Sequence, residues 1–129
     1  MNTKSLLATA AAFLVIPFAL AEKPKLIDLF NGEDLTGWQN RNGEAPGAGW
    51  VAEDGVLARN AKAGDIWTKE RYGDFILTLE FKTAGNSGVF IRTDNPRNNV
   101  QTGIEIQVNN PSGPSKHSVG AIYDLVSPS

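Results

Sequence analysis

A chain of 129 residues with 41% hydrophobic and 20% charged residues and a formal net charge of -2 has the make-up of one ordinary globular domain. It has no excess of base and no run of like charge, which excludes nucleic acid as a partner. Cysteine is absent, so disulfides and thiol chemistry are excluded as well.

The first 21 residues, MNTKSLLATAAAFLVIPFALA, depart from this average. One early cation, Lys4, precedes an apolar run from Leu6, and Ala19-Leu20-Ala21 forms an A-x-A site before Glu22. This is the pattern of a secretory signal peptide. The run is short for a membrane span and contains Pro17. The expectation is a leader at 1–21, a mature chain at 22–129, export to the periplasm or medium, and no membrane contact after cleavage. With Lys4 removed, the cations fall from 12 to 11 against 14 acids.

After Glu22 no helical period is sustained, while alternation and turn signals recur. Residues 50–52 and 56–59 flank Glu53-Asp54-Gly55, a sequence suited to a tight hairpin. Residues 66–68 offer a short strand. FILTLEFKT, residues 75–83, predicts a long strand with Phe75, Leu77, Leu79 and Phe81 on one face. Gly85-Asn86 then predicts a turn into SGVFIRT, residues 87–93, as its antiparallel partner. A polar loop, DNPRNNVQTG, leads to IEIQV at 104–108, and a second loop containing His117 leads to AIYDL at 121–125. Several short strands, 13 glycines and no helix predict an all-β sandwich or barrel.

The polar sides of these strands carry the candidate chemistry. In a strand, Ile104, Ile106 and Val108 take one face while Glu105 and Gln107 take the other. Phe90 and Arg92 alternate with Val89 and Ile91, and so are expected on the same side as Glu105 and Gln107. A cation, a carboxylate, an amide and a ring on one face suit a sugar, whose hydroxyls meet planar polar groups and whose CH patches meet rings. The same residues also describe a cross-strand ion pair on a wetted sheet face. His117, the one histidine, has the chemistry of an acid, a base or a ligand, and equally that of a polar loop residue. Asp94, Glu105 and Asp124 match no metal loop. Ser87, His117 and Asp124 lack the strand-to-helix elbow of a hydrolase triad. Of the three tryptophans, Trp67 is the candidate groove residue, whereas Trp38 and Trp50 read as core.

Six stretches, LFNGEDLTGW, WVAEDGVLA, DIWTKERYGDFILTLEFK, GNSGVFIR, GIEIQV and KHSVGAIYDLVSPS, together resemble the 3-keto-disaccharide hydrolase family, in order and across nearly all of 22–129. The resemblance implies a concanavalin A-like jelly-roll sandwich of antiparallel strands, incomplete here because relatives continue past GAIYDL with further strands. It also implies an exported enzyme that cleaves glycosides oxidised at C3, with a carbohydrate as partner. A C3 ketone acidifies the C2 proton, so a base can remove it, the C1 oxygen can leave by elimination, and water can then add. The resemblance places Glu105 or His117 as the base, Arg92 as the electrostatic stabiliser and Gln107 at the sugar, beside the candidate rings of Phe90 and Trp67; Tyr123, alternating with Ile122 and Asp124 in AIYDL, is a further wall residue. The resemblance admits a divalent metal without assigning a ligand, and it leaves the oligomeric state open. The rival readings are a non-catalytic carbohydrate-binding module on the same fold and a structural or adhesion domain. A two-carboxylate glycosidase fits less well, because the strand presents Gln107 where a second acid would stand.

Overall fold

The computed structural model describes residues 25–109 and 114–129. The expected leader at 1–21 lies outside them. The described chain is all-β and antiparallel with a jelly-roll-like character, built from three two-stranded ladders. In chain order the strands are β1 (Trp38–Asn40), β2 (Trp50–Glu53), β3 (Val56–Arg59), β4 (Ile66–Thr68), β5 (Ser87–Ile91) and β6 (Ile104–Val108). β1 pairs with β4, β2 with β3, and β5 with β6.

The hairpin of β2 and β3 turns on Asp54 and Gly55, with φ of 51° and 75°. Two successive positive φ values give the turn whose twist matches that of the flanking strands, which is why Asp-Gly stands there. Trp50 is fastened by its indole Nε1, which donates to the Gly64 carbonyl at 2.8 Å. Before β1, Asn31 Oδ1 accepts from the backbone N–H groups of Glu33 and Asp34, and Asp34 Oδ1 accepts from that of Thr36. Hydrogen bonds from the Thr36 backbone N–H foremost, then from the Thr36 side chain and Asn31 Nδ2, hold the Asp34 carboxyl below its ordinary range. The NGEDLTG stretch is therefore a turn locked by its own side chains.

Three expectations are corrected. Residues 75–83 form no strand, and their backbone groups bond to no other described residue. Their expected partner, β5, is paired with β6 instead. The alternation nevertheless survives as facing. Phe75, Leu77, Leu79 and Phe81 line one wall of a cavity of about 530 Å³ whose other wall is Val89, Ile91, Ile106 and Val108, the apolar face of β5 and β6. Ile76, on the opposite side, is 92% exposed. The second correction concerns 121–125, which is a turn with isolated bridges of Ile122 to Ile106 and to Val126 rather than a strand. Asp124 sits there at φ 59°, a left-handed conformation that Asp tolerates and that ends extended pairing. Third, the polar loop holds a 3₁₀ turn (Pro96–Asn98) followed by a helix, α1 (Asn99–Thr102), where no helix was expected. Asn95 caps the 3₁₀ turn by accepting from the Arg97 N–H, and Pro96 supplies a preset φ at its start.

The buried centre lies where β6 meets residues 118–121. Val108, Ala121, Gln107 and Ser118 are its buried residues. Backbone bonds join the two segments, Gln107 N to Ala121 O and Gly120 N to Gln107 O, each 2.9 Å.

Candidate functional site

The register of β5 and β6 pairs Phe90 with Glu105 and Gly88 with Gln107. Those four residues therefore share the face opposite the apolar cavity wall, as alternation predicts. On the far side of β6, the bridge of Ile106 to Ile122 and the bond from Tyr123 N to Glu105 O at 3.0 Å set Tyr123 beside Glu105. On the near side the Trp67 ring lies 6.1 Å from that of Phe90, tilted by 46°. Beyond Tyr123 the His117 ring stacks at 5.0 Å and 28°. The result is one continuous row: Trp67, Phe90, Glu105, Tyr123, His117. Five of the seven sequence-predicted residues are thus placed side by side, two rings on either flank of a carboxylate.

Glu105 has the most unusual setting in the row. Its carboxylate folds over Gly88, where an added Cβ would overlap Oε1 and come within 2.8 Å of Cδ. Any larger residue at position 88 would displace the carboxylate. Burial pushes the Glu105 carboxyl above its ordinary range, and the negative charge of Asp65 pushes in the same direction. Asp65 stands just before β4 and is held by Asn99 Nδ2, which donates to its Oδ2 at 3.0 Å. The short helix α1 therefore positions a charge that acts on Glu105.

Gln107 is 1% exposed. Its Nε2 donates to Asn86 Oδ1 at 2.7 Å, while its Oε1 is buried without a partner among the described residues. A buried acceptor left open costs free energy unless a donor arrives. Trp67 Nε1 is likewise a buried donor without a partner among the described residues.

Arg92 stands apart from the row. β5 ends at Ile91, and Arg92 takes a φ of 55°, so the alternation that would have set it beside Phe90 stops one residue short. Its guanidinium donates to Asp74 Oδ1 at 2.9 Å.

His117 Nε2 lies 2.8 Å from Asp124 Oδ1. Ser87, the third member of the paper triad, lies in β5 opposite Val108. Among the described residues no three His, Asp or Glu side chains come together as ligands of one ion.

The model of a family described as a 3-keto-alpha-glucoside-1,2-lyase-like domain matches residues 25–129. The chain belongs to this family. No curated protein matches the chain. Membership makes the domain 3-keto-glycoside hydrolase- or lyase-like and its substrate class carbohydrate-related.

Sequence reasoning passed over Gly88, Asp65 and Asn86. Gly88 could have been found from its cross-strand place opposite Gln107, beside the Glu105 pair. Asp65 and Asn99 are 34 residues apart, and no local pattern links them.

Proposed function

We propose that this domain, exported after removal of residues 1–21, cleaves 3-keto-glycosides by elimination and hydration. Glu105 removes the proton on C2. The electrons pass into the C2–C3 bond and on to the ketone oxygen, then return to form the C1–C2 double bond as the C1–O bond breaks. His117 gives the leaving oxygen its proton. Water then adds at C1, losing a proton to His117, while Glu105 returns its proton to C2, so that the net change is hydrolysis. Gln107, buried beneath the row, holds Asn86 rather than the sugar, and the rings of Trp67, Phe90 and Tyr123 cover the sugar's CH faces.

The observation that supports this most is the setting of Glu105. A carboxyl of raised proton affinity, flanked by rings on one wall and by a histidine on the other, is better matched to a weakly acidic C–H than an ordinary surface carboxylate is. The two ring pairs also suit a carbohydrate-binding module, which would need no proton transfer.

Incubation of the full chain with a 3-keto-glycoside and with its unoxidised parent, following aglycone release, separates the readings. Release from the keto compound alone supports elimination. Release from both points to an ordinary glycosidase. Binding without release leaves the carbohydrate-binding module. Sequencing of the exported product should begin at Glu22, and an intact Met1 would remove the export proposal.

A further inference from the structure

The His117 ring is held by more contacts than a surface histidine needs. Its side chain is 52% exposed, yet Nε2 meets Asp124 Oδ1 at 2.8 Å, one face stacks on Tyr123, and its backbone N–H donates to Ser115 Oγ at 3.1 Å. The two turns that carry the pair are tied together twice through Lys116. Lys116 Nζ donates to the Asp124 carbonyl at 3.1 Å, and the Asp124 N–H donates to the Lys116 carbonyl at 3.3 Å. Asp124 itself sits at φ 59°, at the tip of a turn closed by bonds from Leu125 N and Val126 N to Ile122 O. The same turn sets Tyr123 beside Glu105.

We infer that Asp124 is the positioning residue of His117. It accepts the Nε2 proton, fixes that nitrogen as the donor, and leaves Nδ1 as the nitrogen that exchanges a proton with substrate. A carboxylate so placed does not take the proton itself. It selects one tautomer and holds the ring's orientation. The inference rests on the elimination reading for its catalytic meaning, but not for the geometry.

The chain has one histidine, so ring ¹⁵N and ¹H resonances belong to His117 without assignment. Asp124→Asn and Asp124→Gly both accept a positive φ, and neither disturbs the turn. In the full chain the neutral ring should carry its proton on Nε2, with a slowly exchanging Hε2 signal. Asp124→Gly should lose that signal to fast exchange, and Asp124→Asn, whose amide can donate, should move the proton to Nδ1. On a 3-keto-glycoside both variants should lower kcat about 10²-fold with KM within twofold.

A proton on Nδ1 in the unaltered chain, or identical ring spectra in chain and variants, overturns the inference. Unchanged kcat in a turning-over enzyme also overturns it, because the pair would then be only an exposed ion pair. If the unaltered chain turns over no keto-glycoside, the elimination reading falls, while the ring spectra still decide whether Asp124 holds His117.

Discussion

β5 and residues 75–81 alternate equally well, and only one of them is a strand. Both point apolar side chains into the same cavity: Val89 and Ile91 from β5, and Phe75, Leu77, Leu79 and Phe81 from the other segment. β5 exchanges backbone bonds with β6 along five residue pairs. Residues 75–83 exchange none with any described residue. Alternation therefore fixes which side of an extended chain faces the apolar space, but it does not supply an edge to bond with. The consequence is functional as well. The pairing of Phe90 with Glu105 in the row depends on cross-strand register, which only the paired segment supplies.

This contrast can be tested most severely on the acid groups of the two segments. Glu105→Gln should lower turnover of a keto-glycoside by about 10²–10⁴-fold with sugar binding retained, whereas Glu80→Gln in the unpaired segment should leave turnover unchanged. Equal losses would mean that the row is not the site. Gly88→Ala should follow, with turnover reduced about tenfold and little change in melting temperature, since the nearest atoms its Cβ would meet all belong to the movable side chain of Glu105. A large fall in melting temperature instead would make Gly88 a packing residue.

Packing gives a smaller difference. Val89→Ala, on the paired strand, should destabilise by about 1–2 kcal/mol and Leu79→Ala by less than about 1 kcal/mol, read from denaturant midpoints, because Leu79 is already 44% exposed. The reverse order would show that 75–83 is held as firmly as β5.

The smallest expected effect is a pH dependence. The folded-state affinity of Glu105 for its proton is raised, so the folded chain is favoured while Glu105 is protonated and loses that advantage as pH rises through its folded pKa. Glu105→Gln should thus melt slightly higher than the unaltered chain at pH 7 and should match it below about pH 4, where both side chains are neutral. A variant that melts lower at pH 7 would mean that the carboxylate is stabilised by its surroundings.

Much of the site was legible because β6 is legible. IEIQV alternates without interruption, and the register that follows from it sets Glu105 beside Phe90 and Gln107 beside Gly88. Trp67, Tyr123 and His117 were candidates from separate stretches of the chain, and contacts between those stretches are what assemble the row. Arg92 was misplaced by one residue, because alternation cannot announce the positive φ that ends β5. The turn at 121–125 was misread for the same reason at Asp124.

By itself the sequence determined the antiparallel all-β class, the Asp54-Gly55 hairpin, the face on which Glu105 stands and the family. The class, the hairpin and the facing follow from side-chain period and local turn chemistry, which are written in neighbouring residues, and the family follows from the match of its motifs. Tertiary structure alone decided that β5 takes β6 rather than 75–83 as its partner, that Asp65 is held by Asn99 to act on Glu105, and that Asp124 meets His117. Each of these depends on which backbone edge or charge arrives from elsewhere in the chain, and a local pattern carries no record of that choice.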